Sequence, residues 1–263
     1  MSFNLSAART FLAETQLPPL QGFQADAPVD GGMPEFETDQ AQALVIGSDV
    51  VSFTTGVEAE FRKAISDSAL YAQLVATAKA GNDADAMKFF DTYFATLLQL
   101  GWMVQKRETA EFNYKGDGFD VHEAVIGVVT TFLAPIAGAA AAVLTVLKGL
   151  HDMNKSAPFI TLFNKRSRHG KIGRFQFTFV HNDPDHGLSA EIMAFALDAD
   201  DTLTQVLFFQ LHKSRTKLRR SAGTLSIDTE ALKGVQSLMA SKVLAYRAAM
   251  IAEAELGPVP GSN

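Results

Sequence analysis

Residues 174–197 read Arg174-Phe175-Gln176-Phe177-Thr178-Phe179-Val180-His181-Asn182-Asp183-Pro184-Asp185-His186-Gly187-Leu188-Ser189-Ala190-Glu191-Ile192-Met193-Ala194-Phe195-Ala196-Leu197. Two segments of strand texture, Arg174 to His181 and Leu188 to Leu197, flank the polar turn Asn182 to Gly187. So short a connection predicts an antiparallel hairpin, because a parallel crossover needs about a dozen residues or more. Outward from it the strand texture persists. Leu203 to His212 and Leu218 to Ile227 follow the acidic turn Asp198 to Asp201, and Phe159 to Phe163 precedes the turn Ser167 to Gly173.

On either side of this region the period is mainly helical. Thr55-Gly56-Val57-Glu58 has capping-box spacing and opens a helix toward Ala80, with Gly81 ending it. Asp83 starts another, whose Phe89, Phe90, Tyr93, Phe94, Leu97 and Leu98 recur at spacings of three and four and mark a core-facing stripe. Asp120-Val121-His122-Glu123 is a second capping box before a long apolar helical region, and Thr229 to about Leu256 is a last helix stopped by Gly257 and Pro258. Ala43 to Phe53 reads as a strand pair turning at Gly47-Ser48-Asp49, and Trp102 to Tyr114 as a strand. Helix and strand do not alternate steadily. The expected fold is therefore α+β, an antiparallel sheet mainly from residues 158–228, packed against helices from residues 56–100, 121–152 and 229–256.

A chain of 263 residues with 47% hydrophobic and 20% charged side chains can bury a core, which excludes wholesale disorder. Residues 41–257 are expected to form one compact domain. Pro18, Pro19, Gly22, Pro28, Gly31, Gly32 and Pro34 make residues 1–40 an arm that carries a short helix at Ala7 to Glu14, and residues 258–263 form a tail. The arm offers a route to a homo-oligomer. A net charge of −6 argues against a nucleic-acid partner, which needs a basic footprint. That mean hides an asymmetry, with 8 basic and 17 acidic side chains in residues 1–121 and a basic excess in the rest. Cysteine is absent, which removes disulfides, thiolate catalysis and cysteine-ligated zinc. Met1-Ser2-Phe3-Asn4-Leu5 lacks a basic n-region and apolar h-region, so the expectation is a chain cytoplasmic as synthesised and exported, if at all, without a standard signal peptide.

The most unusual stretch is Ala124 to Leu147, AVIGVVTTFLAPIAGAAAAVLTVL, without one charged side chain. A continuous helix of this length would measure roughly 36 Å, enough for a bilayer core of about 30 Å. Pro135 and Gly138 divide it into two arms, so it reads as a kinked helix or a hairpin buried in the soluble form. Val125, Val129, Phe132, Leu133, Pro135, Ile136, Val143, Leu144 and Leu147 are the candidate lipid-contacting residues. In architecture and texture the arrangement resembles pore-forming toxins of the colicin type, a resemblance that implies a concealed segment released onto or into a bilayer. A central core helix needing no membrane is the plainer alternative. His122 and His151 bracket the segment and are candidate acid-sensitive switches, since histidine gains charge near pH 6.5.

Two basic clusters are candidates for an anionic membrane surface or an acidic protein partner: Lys165, Arg166, Arg168, Lys171 and Arg174, and Lys213, Arg215, Lys217, Arg219 and Arg220. Alternation from Lys213 to Arg219 would project four basic side chains from one face of a strand. Solvated strand edges carry such charges too. Phe195 to Leu203 resembles the Asp-x-Asp-x-Thr-Leu motif of haloacid-dehalogenase-type phosphatases, which implies a nucleophilic Asp198 and an acid/base Asp200. That family sets its motif after an early strand of a parallel sheet, with a later Lys and acidic pair, so an acidic hairpin turn is the expected role here. His181, Asp183, Asp185 and His186 crowd one turn without the spacing of a known metal motif. With no Walker loop, nucleophile elbow or dinucleotide fingerprint, the expectation is a non-enzymatic, toxin- or effector-like binding protein with no cofactor. A structural or assembly protein and a hydrolase without a readable motif are the alternatives.

Overall fold

The computed structural model describes residues 3–24, 32–80, 85–115, 119–136, 138–152, 157–199, 203, 210–211 and 215–253. Its centre is the hairpin of β6 (Ile172–Asp183) and β7 (Gly187–Ala199), paired antiparallel along its whole length. Around it the sheet runs β10 (Ile251–Glu253), β1 (Gln42–Ile46), β2 (Asp49–Phe53), β6, β7, β9 (Arg215–Ile227) and β3 (Trp102–Lys115), with β5 (Arg168–His169) also on β6. Only the β2–β6 contact among these described pairs is parallel. A two-residue pair, β4 (Phe119–Asp120) with β8 (Gln210–Leu211), stands apart. The fold is α+β, and the mostly antiparallel sheet is wider than residues 158–228 because β1, β2, β3 and β10 join it.

Helices cover both faces. On one lie α1 (Leu5–Glu14), the one-turn α2 (Gln21–Gln24), α3 (Ala59–Ala80), α4 (Ala86–Gln99) and α8 (Thr229–Val243), over a core that includes Leu44, Ile46, Val51, Val180, Ile192 and Leu225. On the other lie α5 (Val121–Leu133), α6 (Ala139–Asp152) and α7 (Pro158–Ser167), over Phe175, Phe177, Phe179, Met193, Phe195 and Leu197. Strand alternation sorts the two sets, and Phe175 stacks on Phe195 across the central pair at 5.2 Å between centroids. The aromatic stripe of α4 is core: Phe89, Phe90, Tyr93, Phe94 and Leu97 are buried, while Leu98 is exposed.

Several elements differ from the sequence-based expectation, among them α1, which starts at Leu5 behind an Asn4 cap rather than at Ala7. Phe159 to Phe163 is the body of α7 rather than a strand; Pro158 occupies its first turn, and buried Phe159, Ile160, Leu162 and Phe163 share one helical face. The helix expected at Thr55 starts at Ala59, because the Glu58 carbonyl accepts its first amides. The last helix ends at Val243; after a 3-10 turn and α9 (Arg247–Met250), the chain returns as β10 to pair Ile251 with Ile46. Burying Ile251 and Ala252 against β1 outweighs their capacity to extend a helix. Residues 3–24 pack on their own chain, where Arg9 donates to the Gly234 carbonyl at 3.0 Å, Lys242 to that of Ala13 at 3.0 Å and Tyr246 to that of Pro18 at 2.6 Å.

Candidate membrane-contact site

The uncharged segment folds as two helices, α5 and α6, which pack on each other and on the sheet. Between them the chain tightens through Ile136 N–H to Leu133 O and Ala139 N–H to Ile136 O, at 3.0 and 3.1 Å. Gly138 takes φ 76°, a left-handed conformation that side chains with a Cβ resist. Pro135 lies exposed in this connection, where its missing N–H breaks no helical hydrogen bond. Val121, Val125, Val129 and Leu133 form one row, spaced by four, that is fully buried against the sheet; Val143, Val146 and Leu147 do the same for α6. Phe132, Ile136 and Leu144 are half-buried. The concealment is thus one-sided.

The outward face is not ionic. In α5 it shows Gly127, Thr130 and Thr131, and in α6 Ala141, with Glu123 and Lys148 only at the ends. Thr131 donates to the Gly127 carbonyl at 2.8 Å and Thr145 to that of Ala141 at 2.9 Å, so both hydroxyls are satisfied within their own helices. No helix among the described residues is long and apolar enough to cross a membrane. His122 is half-buried in the first turn of α5; His151 is in the last turn of α6, with its side chain outside the described residues.

No family model and no curated relative matches the chain. Among solved structures, a delta-endotoxin is similar at 13% identity over 70% of this chain and 84% of that one, with a TM-score of 0.39. The Evf virulence factor is similar at 12% identity over 85% and 88%, TM-score 0.31. The activated Cyt2Ba monomer from Bacillus thuringiensis subsp. israelensis follows at 12% over 64% and 89%, TM-score 0.28. At these values the likenesses are of outline alone.

The two basic clusters have different surroundings. Lys213 and the side chain of Arg215 lie outside the described residues; Lys217 and Arg219 occupy alternate positions of β9 on one face, and Arg220 faces the other way. Lys217 is 2.9 Å from Glu111, Arg219 bridges Asp85 at 2.6 Å and Asp198 at 2.9 Å, and Arg220 is 3.5 Å from Glu108. Carboxylates therefore accompany much of this charge. In the other cluster Lys171 is exposed in the β5–β6 turn, while Lys165, Arg166, Arg168 and Arg174 converge on one cleft. Phe23, Phe89 and His169, which also line it, carry no sequence signal of such a role, because the arm, α4 and β5 that carry them come together at the cleft only in three dimensions.

The remaining candidates are structural in geometry. Asp183 accepts the backbone amides of Asp185 and His186 at 2.9 and 2.8 Å, and His186 Nδ1 lies 3.0 Å away, so the carboxylate caps the β6–β7 turn. Those amide bonds, followed by the histidine, hold its pKa below the ordinary value. His181 stacks on Phe179 and sits 3.6 Å from Glu191. Among the described residues no group of three or more potential ligands is arranged to hold a metal ion. Asp198 ends an antiparallel strand beside Arg219, not the parallel strand of a phosphatase motif; Asp200 lies outside the described residues.

Proposed function

We propose that this protein acts by binding rather than catalysis, as a toxin- or effector-like protein that lays the α5–α6 hairpin onto a lipid bilayer. What supports the reading is the outer surface of that hairpin: an uncharged stretch from Ala124 to Leu147 whose exposed positions in α5 are Gly and Thr rather than the Lys and Glu of an ordinary surface helix. At 13 and 14 residues the arms measure about 20 Å each, short of a bilayer core, so they contact lipid lying in the interfacial layer. The inner rows of valine and leucine supply further apolar surface when the hairpin leaves the sheet. Basic residues such as Lys165 and Lys171, exposed near the α7 end, add attraction to anionic headgroups. His122 and His151 make acid the trigger to test first.

Dye release from anionic liposomes, run at pH 7 and pH 5, tests this with a Thr130→Asp variant. Thr130 is exposed, so the substitution leaves folding nearly intact while setting a charge on the face that would rest against lipid. Binding and leakage by the natural chain, both lost in the folded variant, are expected. Absence of both at either pH, or equal leakage by the variant, would overturn the reading.

A further inference from the structure

The cleft lined by Lys165, Arg166, Arg168, His169 and Arg174 has a volume of about 480 Å³ and opens at the end of the sheet marked by the β1–β2 turn. The N-terminal arm forms one wall through Pro18, Pro19 and Phe23, and α4 contributes Phe89. Arg174 is the unusual member. It projects from β6 with only 3% of its surface exposed, lies 3.8 Å above the Phe89 ring and contacts His169 Nε2 through Nη2 at 2.9 Å. Among the described residues it has no carboxylate partner, and its Nε has no hydrogen-bond acceptor. Burial alone pulls its pKa down to about 10, so the guanidinium remains charged at neutral pH. A buried cation without a counter-ion is rare, because desolvation is not repaid. Two neighbours are already oriented: Arg166 stacks over Phe23 at 4.8 Å and donates to the Ala249 carbonyl at 3.3 Å, and Arg168 donates to that of Asn164 at 3.0 Å.

We infer that this cleft is a binding site for an organic phosphomonoester, with Arg174 at its floor meeting the phosphoryl oxygens and the arm wall of Pro18 and Pro19 taking the organic group. No described lining residue is acidic, and several positive side chains on one side of a small cleft suit a dianion better than a single carboxylate. The size is that of a small-molecule pocket. The same chemistry is presented by a soluble organic phosphate and by the headgroup of phosphatidate. The inference does not depend on the α5–α6 hairpin, which lies against the opposite face of the sheet from Arg174 and Phe89.

Calorimetric titration of the intact chain with phenyl phosphate and inorganic phosphate, alongside co-sedimentation with phosphatidate- or phosphatidylglycerol-containing vesicles matched in surface charge, tests it. Saturable one-site binding is expected, tighter for phenyl phosphate and weaker by about tenfold or more in Arg174→Met and in the Lys165→Ala/Arg168→Ala double variant. If Arg174→Met does not fold, the double variant, whose residues are more exposed, decides. A phosphatidate preference that the substitutions abolish identifies the headgroup as the source; soluble binding with equal sedimentation on both vesicles identifies a soluble phosphate. No saturable binding of either phosphate and no phosphatidate preference, or binding that survives both variants unchanged, would overturn the inference.

Discussion

Asp49, the first residue of β2, is completely buried beneath α4, where its Oδ2 accepts from Gln176 Nε2 at 2.7 Å and Thr178 Oγ1 at 2.9 Å, with Tyr93 beside it. Desolvation outweighs those hydrogen bonds and raises its pKa from 3.8 to about 7. Between these values the native chain holds a proton that the unfolded chain has released, so stability falls as pH rises and levels off above about 7. Asp49→Asn is therefore expected to be more stable than the natural chain at pH 8, by at most about 4 kcal/mol, with the difference closing toward pH 4 in thermal melts. Asp67 also has its pKa raised by burial, but here a cation partly offsets the desolvation. It is fully buried and paired with Arg247 at 2.6 and 2.9 Å, so Arg247→Met strands a carboxylate and should lower stability at pH 8 by about 3 to 5 kcal/mol, less in acid where Asp67 takes up a proton. Urea titrations at the two pH values check both size and sign. Neither residue was singled out by the sequence, since a lone Asp in a helix or after a turn normally reads as surface.

At the scale of the element, α5 and α6 separate folding from surface chemistry residue by residue. Val129 has no exposed surface and faces the sheet, whereas its neighbour Thr130 faces out. Val129→Asp is expected to cost about 3 kcal/mol or more by burying an unpaired charge, and Thr130→Asp to stay within about 0.5 kcal/mol, in denaturant melts at pH 7. Gly47 shows the same economy in a turn: φ is 59°, and a Cβ there would come 2.5 Å from Gln73 Oε1, which accepts the Ser48 amide. Gly47→Ala should destabilise by about 1 to 3 kcal/mol, seen as a lower melting temperature. The β1–β2 turn, the β6–β7 hairpin and the apolar hairpin were all legible because turn residues and period are local. The strand expected at Phe159 to Phe163 was not: a short apolar run fits either period, and burial against β6 and β10 selects the helix.

Across the whole molecule the two helical layers differ in how they are held. Every residue of α3 from Ala64 to Ala76 is buried, between the sheet, α4 and α8, while α5 buries one row and leaves its outer face to solvent. Hydrogen exchange followed by mass spectrometry should find α3 amides the slowest and those of α5–α6 faster by about tenfold or more; equal protection would mean that the sheet opens as one unit. Acid would act unequally on this architecture, since protonating Asp49 strengthens the α4 side and leaves any loosening to the opposite face. The sequence by itself determined the α+β class, the central hairpin, the stripe of α4 and the uncharged two-arm segment, because each is written in neighbours a few residues apart. Only the tertiary structure decided that β2 lies parallel to β6, that β10 lies at the sheet edge beside β1, and that Arg174 is buried against Phe89 with no carboxylate partner among the described residues. Those contacts join segments distant in the chain, and their energy comes from burial and desolvation, which exist only once the sheet and both layers are assembled.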